Sequence, residues 1–166
     1  MDRHQLDQLS PPDAEVALRS YARRFGALVS ATTLARADVP CSTAVWRGWS
    51  VNARLAATAD RVEALDAALA RVSFLEQPEL PLDLFESPPP AANGPDAALT
   101  LTRLLRALLA AADRVSTTPL KAWARPCTVN GAPSDAHELL RELVACGRTA
   151  LDEMAAVLDA ARRCGH

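Results

Sequence analysis

The sequence predicts an all-α protein, a single-domain four-helix bundle with one long proline-rich connection between its second and third helices. Three observations carry that expectation. Nearly half of the 166 residues are apolar, and most of that share is Ala, Leu and Val, with aromatics at only 4%, a balance that suits packed helices better than sheets. Four segments repeat apolar residues at three- and four-residue spacing. Six of the twelve prolines fall within residues 78–95, which no helix interior tolerates.

The first helix is expected over about 11–34. Ser10 offers an N-cap, Pro11 suits the first turn, and Asp13 and Glu15 complement the positive end of the helix dipole. From there Ala14, Ala17, Leu18, Tyr21, Phe25, Leu28 and Val29 mark one face. A linker with Pro40, Gly48, Trp46 and Trp49 leads to Ser50, an N-cap for a second helix over about 51–73. The stripe Val51, Leu55, Thr58, Ala59, Val62, Leu65, Leu69 and Val72 is its buried side.

The segment FLEQPELPLDLFESPPPAANGP then interrupts the helical pattern. A connection of this length inside a compact domain is uncommon and serves as a lid or a loose tether; Leu80, Leu82, Leu84 and Phe85 suggest that its first half packs down. The third helix, about 96–115, begins at Asp96 and shows Leu101, Leu104, Leu105, Leu108 and Leu109 on one side. Asn130-Gly131 in the next connection signals a tight turn. The fourth helix starts where Ser134 or Asp135 caps, with Glu138 placed for a capping box, and runs to about Arg163.

Charge and composition narrow the function. A formal net charge of −2 with dispersed Lys and Arg provides no basic stripe for a row of phosphates, so nucleic acid is not an expected partner. No apolar run approaches the roughly 20 residues of a membrane span, and the polar N-terminus MDRHQLDQLSPPD lacks an export signal. The expectation is a cytoplasmic protein. Cys41, Cys127, Cys146 and Cys164 are far apart and form no CxxC pair, which points to free thiols rather than a zinc or thioredoxin-type motif.

Two runs, DVPCSTAVWRGWSVNARLAATAD and AWARPCTVNGAPSDAHELLRELVACGRTALDEM, together with the order of the helices, resemble the DinB-like superfamily, in particular the N-terminal domain of mycothiol-dependent maleylpyruvate isomerases. The resemblance spans nearly the whole chain and implies a metal held by one His on helix 2 and two on helix 4. Setting Gly48-Trp49-Ser50-Val51 and Glu138-Leu139-Leu140-Arg141 on the family pattern puts those ligands at Ala57, Cys146 and Ala150. None is His. The chain's histidines are His4, His137 and His166, and His137 lies roughly 13 Å along the helix axis from Cys146. No metal and no cofactor are therefore expected.

What stands at that place has two readings each. Cys146 is either a small buried hydrophobe or a reactive thiol. Arg54 and Arg61 flank Ala57 and are either solvated or an anion clamp for a substrate carboxylate. Thr58 either faces a cavity or bonds the carbonyl one turn back. Glu142, Thr149 and Glu153 neighbour Cys146 and Ala150; a buried carboxylate there would be a general base, whereas solvated faces are the plainer reading. Trp49 stands at the mouth of the expected pocket, and Trp46, Trp49 and Trp123 otherwise read as plugs where loops enter the core. His137 reads as a surface or capping residue.

The function expected is a metal-independent enzyme acting on a small organic acid or thiol adduct, with Cys146, Arg54 and Glu153 as catalytic candidates. Its ligand would meet Trp49, Arg54, Ala57, Thr58, Arg61, Cys146, Thr149 and Ala150. The alternatives are a non-catalytic small-molecule-binding protein and a structural, homodimerising one.

Overall fold

The computed structural model describes residues 6, 8–29, 49–82 and 96–164. The expectations that fall on Trp46, Leu84, Phe85, Cys41, His4 and His166, and on the side chain of Cys164, lie outside the described residues. The protein is mostly helical, and the described residues form four long helices and a small three-stranded sheet. They are α1 (Pro11–Leu28), α2 (Val51–Phe74), α3 (Ala97–Thr117) and α4 (Ala136–Cys164).

Each helix begins at a side-chain cap. Ser10 Oγ accepts from Asp13 N at 3.3 Å, Ser50 Oγ from Ala53 N at 3.1 Å, Asp96 Oδ1 from Ala98 N at 2.9 Å and Asp135 Oδ1 from Glu138 N at 2.7 Å. These bonds satisfy amides that have no partner inside the helix. Glu138 does not complete the reciprocal box; its carboxylate accepts from the Ser134 hydroxyl at 2.9 Å. The first two amides of α4 are taken by backbone carbonyls, Ala136 N bonding Arg125 O and His137 N bonding Trp123 O, each at 3.1 Å.

The first helix is shorter than the periodicity suggests. It stops at Leu28, and Val29 turns to an extended backbone with φ −90° and ψ 93°. Val29 is β-branched, which favours an extended backbone, and the part of the helix expectation over 30–34 lies outside the described residues.

Four packed pairs join the helices: α1 with α3, α3 with α2, α2 with α4 and α4 with α1. Side-chain contacts fix their directions. Arg19 meets Asp113 while Gly26 lies against Leu105, so α1 and α3 are antiparallel. Arg54 pairs with Glu153 and Arg61 with Glu142, so α2 and α4 are antiparallel as well. Asp60 and Glu63 meet Arg103 while Asp66 meets Arg114, so α2 and α3 are parallel. A parallel neighbour cannot be reached by a tight turn, and returning along a helix of 24 residues, about 36 Å, is what demands the long connection.

The interior is aliphatic. Phe25, Leu18, Leu55, Leu65, Leu69, Leu104, Leu108, Leu140, Leu143 and Leu151 are among the fully buried side chains, each contributing on the order of 1.5–3 kcal/mol by leaving water.

The sheet departs from a purely helical expectation. Strands β2 (Pro126–Val129) and β3 (Ala132–Asp135) form an antiparallel hairpin pairing Cys127 with Ser134, and β1 (Glu79–Leu80) joins β2 in parallel. The turn between β2 and β3 has Asn130 at φ 50° and Gly131 at φ 81°, the left-handed pair that a two-residue hairpin needs. Leu80 and Leu82 are buried, as their apolar character suggests. Arg125 reaches from the start of β2 to the carbonyl of Ser73, tying the sheet to the end of α2.

Candidate functional site

The residues singled out on helices 2 and 4 meet along the α2–α4 seam. Arg54 leaves α2 one turn from its start, lies over the Trp49 ring at 5.2 Å from the ring centre, and is ion-paired with Glu153 of α4. A cation over an indole face is held by the ring quadrupole, so Trp49 and Glu153 fix the guanidinium from two sides. Its side chain is only 12% exposed, against 27% for Glu153. Two turns on, Arg61 pairs with Glu142, at 32% and 40% exposure. The plainer reading of solvated arginines and glutamates is corrected for the inner pair by this burial. The outer pair lies nearer the surface.

Cys146 sits in the field of Arg54, Arg61 and Glu142. Burial is the larger influence and pushes its thiol up to about 11, against the lowering by Arg61 and Arg54. A thiol of that kind stays protonated near neutrality and is a poor nucleophile. Cys146 therefore follows the reading of a packed small side chain and touches the apolar core. Cys127, buried within strand β2, is likewise a free thiol.

Thr58 is buried, and its hydroxyl donates to the Arg54 carbonyl at 2.7 Å, the backbone bond expected of a Thr on a packed helix face. Ala57 and Ala150 are partly covered, whereas Thr149 is exposed and stands apart from the cluster. Trp123 is buried as a plug. His137 is neither a simple surface residue nor part of this seam. Half buried, it meets the Leu9 carbonyl through Nε2 at 2.7 Å and Arg141 through Nδ1 at 2.9 Å. An arginine only donates, so Nδ1 accepts and Nε2–H donates, which joins the lead into α1 to the first turn of α4.

The donor set does not fit a transition metal. Ala57 and Ala150 have no ligand atom, the Cys146 thiol holds its proton, and Glu142 and Glu153 face arginines. Among the described residues no group of three or more His, Cys, Asp or Glu side chains is placed to hold a metal ion. Among the same residues, no helix is long and apolar enough to cross a membrane.

The sequence reading missed that each arginine has a carboxylate partner across the seam. The signal was present in the register. With antiparallel helices and Ala57 opposite Cys146 and Ala150, three residues back on α2 and three forward on α4 bring Arg54 to Glu153. Four residues the other way bring Arg61 to Glu142.

Comparison with known proteins returns no matching family model, no matching curated protein and no matching solved structure.

Proposed function

We propose that the chain is a DinB-like four-helix bundle in which two arginine–glutamate pairs stand where the family holds its metal, and that it binds a small organic acid there without one. The helix directions support the bundle, since α2 and α3 run parallel and α1 and α4 share the opposite sense. The observation that carries the binding reading is Arg54, a guanidinium 12% exposed and held between Trp49 and Glu153. Glu153 already shows the guanidinium meeting a carboxylate there, and a bidentate acid must offset the loss of that pair, helped by an arginine that is already ordered.

Arg61 adds a second donor. Its Nε is enclosed and has no acceptor among the described residues, and such a donor favours a ligand that supplies one. Binding is preferred over covalent catalysis because the Cys146 thiol is held protonated. An enzymatic role would rest on Glu153 as a base and on Arg54 as the substrate clamp.

Titration of the 15N-labelled protein with a panel of small mono- and dicarboxylates tests this. Saturable shifts at Trp49, Arg54 and Glu153 are expected for at least one acid, weakened at least about tenfold by Arg54→Gln, a loss of roughly 1.4 kcal/mol. Absence of saturable binding by any acid, or equal binding by a folded Arg54→Gln variant, overturns it.

A further inference from the structure

The outward face of α3 carries a pattern that its own core does not use. Leu99, Thr102, Arg106, Leu109, Asp113 and Thr117 recur at three- and four-residue spacing and are all exposed, so they form one stripe along the helix. Leu99 is 66% exposed and Leu109 41%, and Leu120, in the short 3-10 turn Leu120–Ala122 just past the helix end, is 79% exposed. Large apolar side chains left in water along one stripe mark a contact surface more often than scattered ones do.

The stripe is self-complementary when reversed. About the midpoint between Leu109 and Ala110, Arg106 and Asp113 are equidistant along the helix, as are Thr102 and Thr117. An antiparallel copy laid along the helix thus sets Arg106 against the acidic Asp113 and threonine against threonine, with Leu109 over the small Ala110 at the centre. Each half of the pattern supplies what the other lacks, which is the requirement of a two-fold interface.

Two further observations fit a second copy. Arg106 makes no ion pair among the described residues, while Asp113, 69% exposed, uses Arg19 on one side and can accept a second guanidinium through its remaining lone pairs. Beside the first half of the stripe, a groove of about 460 Å³ opens between α2 and α3, lined by Leu99, Thr102, Arg106 and Ala110 with Glu63 and Asp66 of α2. It lies where the second half of a reversed α3 would arrive.

We propose that two copies of this chain pair through α3, antiparallel about Leu109 and Ala110, with reciprocal Arg106–Asp113 ion pairs. This does not depend on the organic-acid reading, since the α2–α4 seam is a different face.

Sedimentation equilibrium of the full chain, with circular dichroism to verify folding, tests the pairing. Wild type is expected at twice the chain mass of 17.7 kDa. Arg106→Asp and Asp113→Arg place like charges opposite each other twice per dimer, and each alone is expected to raise the dissociation constant roughly a hundredfold. Mixed in equal amounts, the two variants restore both opposite-charge contacts and are expected to dimerise as wild type does. Leu109→Lys, an exposed change on the two-fold, is expected to be a folded monomer and replaces Asp113→Arg if loss of the Arg19 pair unfolds that variant. A monomeric wild type overturns the proposal and leaves the face to a different partner. So does a charge-reversed or Leu109→Lys variant that still dimerises alone, or a mixture of the folded charge variants that stays monomeric.

Discussion

Asn130 holds both backbone polar groups of Leu82: its Oδ1 accepts the Leu82 N–H at 3.0 Å, and its Nδ2 donates to the Leu82 carbonyl at 2.6 Å. The side-chain amide continues the β1–β2 pairing one step beyond Leu80, whose carbonyl accepts Asn130 N at 3.1 Å. The same residue supplies a left-handed turn conformation at φ 50°. Asn130→Gly keeps the turn and removes the clamp, while Asn130→Ala loses both. Urea denaturation is expected to show about 1 kcal/mol lost for Gly and about 2–3 kcal/mol for Ala. Hydrogen exchange at Leu82 N–H should quicken in both; unchanged exchange would show that the amide clamp does not hold the segment.

Much of this fold is written in local signals. Ser10, Ser50, Asp96 and Asp135 announce the four helix starts because a cap acts within three residues, and Asn130-Gly131 announces the hairpin for the same reason. The end of α1 was less legible, since Phe25, Leu28 and Val29 keep helical spacing although the backbone turns extended at Val29. Strand β1 was hidden altogether. Two residues, Glu79 and Leu80, carry no periodicity, and their partners Thr128 and Val129 are remote in sequence. At the candidate site the residues were visible and their pairing was not: Arg54 and Arg61 look solvated until the α2–α4 register sets Glu153 and Glu142 opposite them.

Cys146 gives a pH prediction. Its folded thiol titrates near 11, above its ordinary 9.0, because burial disfavours the thiolate. Between those values the unfolded chain releases the proton first, so deprotonation favours unfolding. The contribution is intact below pH about 9 and is lost as pH rises toward 11, by a few kcal/mol at most at ~1.4 kcal/mol per unit. Wild type is expected to lose more stability than Cys146→Ala over this window in pH-dependent urea melts. Parallel curves would show that Cys146 is not the buried acid. Iodoacetamide labelling of Cys146 at pH 8 should be correspondingly slow.

The two seam ion pairs should differ in weight. Arg54 is 12% exposed and packs on Trp49, whereas Arg61 and Glu142 are about a third exposed or more. Removing Glu153 leaves a nearly buried cation without that partner, so Glu153→Ala is expected to cost about 2–3 kcal/mol. Glu142→Ala is expected to cost under about 1 kcal/mol, as for an exposed pair. Double-mutant cycles with Arg54→Ala and Arg61→Ala measure the couplings, and a larger value for the outer pair would contradict the assignment of Arg54 as the ordered centre of the site.

Gly147 lies where α4 packs against Tyr21 of α1. A Cβ placed there would stand 3.0 Å from Tyr21 Cδ2, closer than side chains ordinarily pack, with Leu108 Cδ2 at an ordinary contact distance of 3.6 Å. Tyr21 is itself 4% exposed, and its ring has little room to yield. Gly147→Ala gains about 1 kcal/mol of helix propensity and loses about 2 kcal/mol to overpacking, a net loss near 1 kcal/mol. In a Tyr21→Ala background the clash is gone and the propensity remains, so the same substitution becomes stabilising. Thermal melts of the four proteins in this cycle test the contact, because a purely local effect of Gly147 would carry the same sign in both backgrounds.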